Sequence, residues 1–309
     1  MTAKQFFVKE GRLRPTWRAT LYTLAMLVGS FVIQIPLVLL LVVAVVVGAV
    51  DEASLMDLAA SRSLLVLGTL INLVLILPLT YLFRRFLDGE TVLSLGLART
   101  RGWLRDVVAG LLLGTVLIGA IFAVEWAMGW LIVEGFRWQV QSPLLVMANL
   151  LLYLLLMVAV AFYEELAYRG YILQNLSADW AVVIAVIASS LLFGLFHGLN
   201  PNVTWLALVN IFLAGVVLAA CYLVTRSLWL PMAFHFSWNF VQGGIFSYPV
   251  SGLQSEGLLL TSTGGNPLVT GGTFGPEGGL LSTVALCVAL VALLTWWWEK
   301  RRKVLSPEG

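Results

Sequence analysis

The chain has 309 residues, of which 60% are hydrophobic and only 11% are charged, and its mean hydropathy is +0.96. A soluble domain carries roughly 25% charged residues, so this composition excludes an ordinary soluble protein and indicates a polytopic membrane protein. The formal net charge at pH 7 is only +2, and no nucleic-acid partner is expected.

A membrane-spanning helix needs ~20 apolar residues, and eight runs of the sequence approach or exceed that length. We therefore predict an all-α bundle of about eight spanning helices in contact with membrane lipids. In chain order, the runs cover residues 19–50, 64–83, 107–133, 144–174, 180–197, 204–225, 228–246 and 280–298. The glycine-rich segment 243–279 is predicted to be a long loop on the outer side.

The basic residues predict the orientation of the bundle. Cytoplasmic segments carry an excess of lysine and arginine. With eight spans, the segments on one side hold 15 of the 18 basic residues: Lys4, Lys9, Arg12, Arg14, Arg18, Arg84, Arg85, Arg99, Arg101, Arg105, Arg226, Lys300, Arg301, Arg302 and Lys303. Both termini are therefore predicted to be cytoplasmic.

One stretch concentrates charge inside an apolar run. The segment VAVAFYEELAYRGYILQNL (158–176) holds Glu164, Glu165 and Arg169. In a helix, residues four apart lie on one face, so Glu165 and Arg169 are predicted to form an ion pair. Glu164 projects about 100° away around the helix and lacks a counter-charge nearby in sequence. Because ionisable residues inside a membrane are candidates for a functional site, Glu164 is the candidate general base.

The only two histidines of the chain lie in two other runs. His197 follows Phe193 by four residues in SSLLFGLFHGLN, and His235 precedes Asn239 by four residues in LPMAFHFSWNF. Polar groups in lipid must find partners, so helices that carry them pack with their polar faces inward. We therefore expect Glu164, His197, His235 and Asn239 to meet in one cavity.

This set of side chains favours hydrolysis by activated water. A carboxylate and a histidine can deprotonate water, while a second histidine and an amide can donate hydrogen bonds to an oxyanion. Ser237 is predicted to point away from the face of His235, so a serine nucleophile is not indicated. A zinc site stays an alternative, since two histidines and a glutamate leave one open position, although no HExxH sequence is present. No cofactor is expected and no metal ligand is assigned.

Three segments carry a resemblance to a known family. EELAYR (164–169), FGLFH (193–197) and HFSWN (235–239) resemble the EExxxR, FxxxH and HxxxN motifs of the CAAX-protease and bacteriocin-processing family. These proteins are intramembrane glutamic endopeptidases that include relatives of CAAX prenyl protease 2 and bacterial self-immunity proteins. The resemblance covers about residues 144–246.

The resemblance implies a role for each matching residue. Glu164 would activate water together with His197, and His235 and Asn239 would form the oxyanion hole. The supporting residues would be Glu165, Arg169 and Phe193. No required metal is implied.

The expected protein is thus a multi-pass endopeptidase of a bacterial plasma membrane that cleaves a membrane-associated peptide or lipidated protein, either of CAAX type or similar to a bacteriocin. We expect three parts: an N-terminal segment with three helices (1–143), a catalytic core (144–246), and an outer loop with the last helix and a basic tail (247–309). The alternatives are a non-catalytic immunity or scaffold protein, a zinc metallopeptidase that uses the same residues, and a transporter with a proton relay.

Overall fold

A computed structural model of the chain describes residues 3–48, 51 and 62–305. Within these residues, the bundle is formed by eight helices: α1 (Pro15–Val46), α2 (Arg62–Leu82), α3 (Trp103–Ala127), α4 (Pro143–Glu165), α5 (Val182–Phe196), α6 (Trp205–Thr225), α7 (Trp229–Asn239) and α8 (Leu280–Leu305). Shorter helices cover Ala3–Phe7, Leu173–Ser177 and Pro267–Thr270. The predicted all-α membrane bundle is confirmed. Residues 49–50 of the first predicted span lie outside the described residues.

Seven helical segments of the described chain are long and apolar enough to cross a membrane. The predicted seventh span, 228–246, is the exception. It forms the 11-residue helix α7 followed by the 6-residue π-helical segment Phe240–Ile245, which together are shorter than a typical spanning helix. Nine residues of α7 are buried, so this helix is enclosed by the others instead of facing lipid.

Two small antiparallel ribbons accompany the helices. Near the N-terminus, strand β1 (Val8–Lys9) pairs with strand β2 (Arg12–Leu13). At the end of the bundle where α3 finishes, which we call the far end, strand β3 (Leu131–Phe136) pairs with strand β4 (Leu259–Thr263). The strands of each ribbon satisfy each other's backbone groups beyond the ends of the helices.

The far end of the bundle differs from the prediction at two places. The third predicted span continues to residue 133, but α3 ends at Ala127 and the chain then forms β3. The segment predicted as a loop, 243–279, contributes β4. A run of apolar residues alone does not distinguish the end of a spanning helix from a strand that follows it.

Several basic side chains make contacts at one end of the bundle. At this end, which we call the basic end, Lys9 contacts Asp179 at 3.0 Å and Arg18 contacts Asp88 at 3.1 Å. Near the end of α8, Lys300 donates to the carbonyl oxygen of Val224. The Leu228 amide, shortly after Val224, donates to the carbonyl oxygen of Gly96, shortly after Asp88, so the N-terminal segment and the end of the last helix lie at the same end.

Two glycines hold helix α7 in place. Gly110 and Gly114 on α3 lie directly against the α7 backbone, and a Cβ atom at Gly110 would be only 2.5 Å from the carbonyl oxygen of Leu230. Such small residues allow helices to approach closely in a membrane. This contact sets the position of α7, the helix that carries His235 and Asn239.

Candidate active site

The first component of the site is the ion pair between Glu165 and Arg169. Arg169 Nη1 lies 2.8 Å from Glu165 Oε1, and both side chains are almost completely buried. The pair has the four-residue spacing predicted from the sequence. It lies where α4 passes into the π-helical segment Leu166–Ile172, and such segments occur frequently at functional sites.

Arg169 is enclosed by partners on several sides. Its Nη2 donates to the carbonyl oxygen of Gly215 at 3.2 Å, and its guanidinium carbon lies 4.4 Å from the centre of the Phe193 ring. Phe193 therefore contacts the cation with its aromatic face. This geometry makes Arg169 a fixed partner of Glu165 and leaves it unavailable to a ligand.

His235 adds a contact that the sequence did not predict. Its Nδ1 atom lies 2.9 Å from Glu165 Oε1. A carboxylate oxygen can only accept, so Nδ1 carries the hydrogen in this pair. The Nε2 atom lies 3.8 Å from Glu164 Oε2, which is too long for a hydrogen bond. His235 therefore lies between the two neighbouring glutamates and is oriented by Glu165.

Glu164 has the environment that the sequence predicted for the less compensated acid. Its side chain is 15% exposed, and its Oε2 atom is buried without a hydrogen-bond partner among the described residues. A buried carboxylate oxygen without a partner is unfavourable. The Glu164 side chain also lines the largest-volume cavity described below.

His197 lies at the end of α5, where the helix passes into the 3-10 segment His197–Leu199. Its Nδ1 atom lies 2.8 Å from the carbonyl oxygen of Phe193. Since a carbonyl oxygen only accepts, Nδ1 again carries the hydrogen, and Nε2 of the neutral ring has a lone pair. Phe193 thus orients His197 through its backbone and contacts Arg169 through its ring.

The predicted catalytic residues share one cavity of about 820 Å³. Glu164, His197, His235 and Asn239 all line it, together with Phe193. Glu165 and Arg169 lie behind this wall. The structure thus brings together the four residues expected in one cavity and places two of the supporting residues outside it.

Sequence reasoning did not identify Glu277, which lines the same cavity from the outer loop. Its Oε2 atom accepts hydrogen bonds from the backbone and hydroxyl of Ser251. Burial raises the pKa of the Glu277 carboxyl, while the bonds from Ser251 act in the opposite direction. The sequence feature that could have identified Glu277 is its place in the segment 243–279, which contains only one other acidic residue, Glu256.

Two other polar groups lie apart from this cavity. Ser237 donates to the carbonyl oxygens of Gly110 and Phe234, so it faces helix α3 and not the site. Glu125 is completely buried and accepts a hydrogen bond from Tyr248 at 2.6 Å.

A zinc site would need at least three ligand side chains close together. Within the described part of the chain, no three His, Cys, Asp or Glu side chains are grouped so that they could hold a metal ion. Glu164 and Glu165 lie on either side of the His235 ring, one next to each ring nitrogen.

The comparisons with known proteins concern the middle of the chain. No curated protein and no solved structure matches the chain. Residues 146–241 match the family described as "Type II CAAX prenyl endopeptidase Rce1-like", and this range includes Glu164, His197, His235 and Asn239 but not Glu277. Over residues 146–241, the chain is therefore similar to the Rce1-like family of CAAX prenyl endopeptidases.

Proposed function

We propose that the protein is an intramembrane endopeptidase in which Glu164 activates a water molecule for attack on a peptide bond. The observation that carries this proposal is the unpartnered Oε2 atom of Glu164 beside the cavity that His197, His235 and Asn239 also line. The neighbouring acid cannot serve equally well, because Glu165 does not line the cavity and its Oε1 atom is already bound to Arg169 and His235.

The first step is proton transfer from water to Glu164 while the water oxygen attacks the carbonyl carbon of the substrate. His197 orients the water through Nε2, because its Nδ1 is occupied by the Phe193 carbonyl. The C–N bond then breaks, and Glu164 returns the proton to the leaving amine. One residue can thus act as base and then as acid in a single turnover.

The negative charge that develops on the carbonyl oxygen needs hydrogen-bond donors. His235 and Asn239 line the cavity one helical turn apart on α7. When His235 is protonated, its Nε2–H can donate to the oxyanion, and the Glu165 carboxylate next to Nδ1 stabilises that protonated form. In this proposal, Glu165 and Arg169 act as positioning residues.

The substrate is a membrane-associated peptide or a lipidated protein, of CAAX type or similar to a bacteriocin. The lining of the cavity supports this class, since it includes many apolar side chains from several helices. We further propose that the protein resides in a bacterial plasma membrane with both termini in the cytoplasm, as the distribution of basic residues indicates.

The proposal is tested by hydrolysis assays on purified protein with a library of hydrophobic and lipidated peptides. Wild-type protein should cleave members of the library, and Glu164→Gln should lower the rate by roughly 10²–10⁴-fold, the usual contribution of a general base. The matched control is Glu134→Gln, an exposed acid on strand β3, which should keep full activity. Near-normal cleavage by Glu164→Gln would remove this residue from the mechanism.

A second assay distinguishes the remaining alternatives. Activity that disappears on dialysis against a chelator and returns only with zinc would indicate a metallopeptidase. A wild-type protein that binds peptides from the library but cleaves none would indicate an immunity or scaffold protein.

A further inference from the structure

We propose that Glu277 is a specificity-determining residue of the cavity and binds a positively charged side chain or amino group of the substrate. The inference rests on the proposed peptidase function and adds one requirement, a positive charge, to the substrate class given above. Glu277 lies outside residues 146–241, so the family similarity assigns it no role.

Helix α6 fixes the backbone at Glu277. The residue lies in the 3-10 turn Pro276–Gly278. The side-chain amide of Asn210 donates to the carbonyl oxygens of Glu277 at 2.8 Å and Gly279 at 2.9 Å. Thr283 donates in turn to Asn210 Oδ1 at 2.7 Å. The position of the carboxyl group is therefore set by the bundle as well as by the outer loop.

A second part of the outer loop orients the carboxyl group. The backbone amide and the hydroxyl of Ser251 both donate to Glu277 Oε2, the hydroxyl at 3.1 Å. Asn200 holds Ser251 by donating to its carbonyl oxygen at 2.9 Å. A carboxylate has about four acceptor sites on its two oxygens, so the bonds from Ser251 leave sites for a ligand. All three residues line the cavity, which places these sites beside the space for the substrate.

The Glu277 carboxyl has no lysine or arginine partner in the described protein. None of the ion pairs among the described residues includes it, and its donors Ser251 and Gln242 are neutral. The charge of a protonated His197 would act on it, but the proposed mechanism uses that ring in its neutral form.

A buried carboxylate without a counter-charge is unfavourable. Burial accordingly raises the pKa of the Glu277 carboxyl. A positive group that entered the cavity would favour the ionised form. The substrate can thus supply the charge that the protein itself does not place there.

The rest of the cavity supplies no competing positive side chain. Among the described residues that line it, Glu164 and Glu277 are acidic and none is a lysine or an arginine. The two acids differ in their surroundings, since Glu164 Oε2 has no hydrogen-bond partner among the described residues, whereas Glu277 is held by Ser251. This difference assigns Glu164 to proton transfer and Glu277 to recognition of charge.

Glu277 also connects two parts of the outer loop, because Ser251 lies 26 residues before it. A purely structural role would make a substitution at Glu277 affect every substrate equally. A role in recognition makes the effect depend on the charge of the substrate. The experiment therefore measures a ratio between two substrates.

The substrates are pairs of peptides based on a library member that the protein binds or cleaves. Each position is replaced in turn by lysine in one peptide and by norleucine, which lacks the ammonium group, in the other. At one position at least, wild-type protein should favour lysine by about tenfold or more in kcat/KM, as expected for a charge-assisted hydrogen bond. The preference should appear in KM, because this contact is made in the ground state as well as in the transition state.

Glu277→Gln keeps an acceptor for Ser251 but removes the charge, so the ratio of lysine to norleucine should fall to about one. The matched control is Glu256→Gln, since Glu256 is an exposed acid of the same segment that does not line the cavity. This variant should retain the wild-type ratio. Melting temperatures show whether both variants are folded, and the wild-type comparison tests the inference even where Glu277→Gln fails to fold.

The inference is overturned if wild-type protein shows no lysine preference at any position, or if folded Glu277→Gln retains that preference. An equal loss of kcat/KM for both peptides of a pair, with an unchanged ratio, would show that Glu277 only supports the loop.

Equilibrium binding separates this inference from the peptidase proposal. The same peptide pairs are bound to Glu164→Gln protein, in which hydrolysis is not expected. A lysine preference in binding that requires Glu277, without cleavage by wild-type protein, would support the cation site and refute the peptidase function. Cleavage by wild-type protein with equal binding of both peptides would overturn the cation site and leave the peptidase function standing.

Discussion

His235 and Glu165 are joined by a 2.9 Å contact, although they are 70 residues apart in the chain. The same Oε1 atom of Glu165 also accepts a hydrogen bond from Arg169 Nη1 at 2.8 Å. One carboxylate oxygen thus accepts from both the Arg169 guanidinium and the His235 ring. It connects the Glu165–Arg169 ion pair, at the end of α4, to helix α7. Glu164, the adjacent residue, is left facing the cavity.

The two glutamates should respond differently to the same substitution. Glu165→Gln leaves Arg169, which is 1% exposed, without its counter-charge. Breaking a buried pair in this way costs about 3–5 kcal/mol of unfolding free energy. Glu164→Gln replaces a poorly compensated acid, so stability should remain the same or rise while activity is lost. The measurement is the melting temperature in detergent alongside the cleavage rate.

Glu134→Gln serves as the control for the loss of an exposed carboxylate and should leave both quantities unchanged. A lower melting temperature for Glu164→Gln than for Glu165→Gln would reverse the assignment, and Glu165 would become the candidate base.

The packing of α3 against α7 should tolerate no added methyl group at Gly114. A Cβ atom there would overlap Ser237 Oγ and lie 2.6 Å from the carbonyl oxygen of Phe234. Gly114→Ala should therefore lower stability by about 1–3 kcal/mol, as overpacking generally does. Activity should also fall, because α7 carries His235 and Asn239.

Gly119→Ala is the matched control on the same helix. No atom lies within 4 Å of a Cβ at that position, so stability should remain the same or rise by up to about 1 kcal/mol through better helix propensity. Equal effects of the two substitutions on thermal unfolding would show that close approach of the helices is not the cause.

The bond between Tyr248 and Glu125 should contribute to stability and not to catalysis. Tyr248→Phe removes only the hydroxyl that donates to the fully buried Glu125. A buried acceptor without its partner costs about 1–3 kcal/mol. The melting temperature should fall while kcat for the remaining folded protein is retained.

Tyr81→Phe is the control. Tyr81 is 54% exposed, so the loss of its hydroxyl should have little effect on the melting temperature. Replacing both partners by apolar side chains, with Tyr248→Phe and Glu125→Leu, should recover part of the loss in stability. A strong decrease in kcat for Tyr248→Phe at unchanged stability would assign this pair to the active site instead.

The N-terminal segment should be attached to the bundle in a pH-dependent manner through Asp179. Burial acts to raise the pKa of Asp179, but hydrogen bonds from Lys9 and Thr16 outweigh it, so this pKa lies below its usual value. A carboxyl whose pKa is lowered by folding adds stability above its unfolded pKa of about 3.9, and that stability is lost as pH falls through the lower folded value.

Asp179→Asn should therefore cost about 1.5–3 kcal/mol near neutral pH, as for hydrogen bonds to a charged group. The difference in unfolding free energy between wild type and Asp179→Asn should narrow below about pH 4, where the carboxyl of the unfolded chain becomes protonated. Melting curves recorded between neutral and acidic pH measure this difference. Glu90→Gln is the control, because Glu90 is exposed. A difference that stays constant down to the most acidic pH would contradict the ionic origin.

The sequence by itself determined the membrane class, most of the helices and the pairing of Glu165 with Arg169. These features depend on local properties: the length of apolar runs decides whether a helix can span lipid, and a spacing of four residues places two side chains on one face. The same local geometry separates Glu164 from its neighbour, because a helix turns by about 100° from one residue to the next.

Only the tertiary structure decided how the helices meet. The contact of His235 with Glu165 and the place of Glu277 in the cavity depend on which helix faces are adjacent. That adjacency is set by close packing, such as Gly114 against α7, and by loops that pair across long separations, such as β3 with β4. Helical periodicity describes one helix at a time, so it could not show that α7 is enclosed by the other helices.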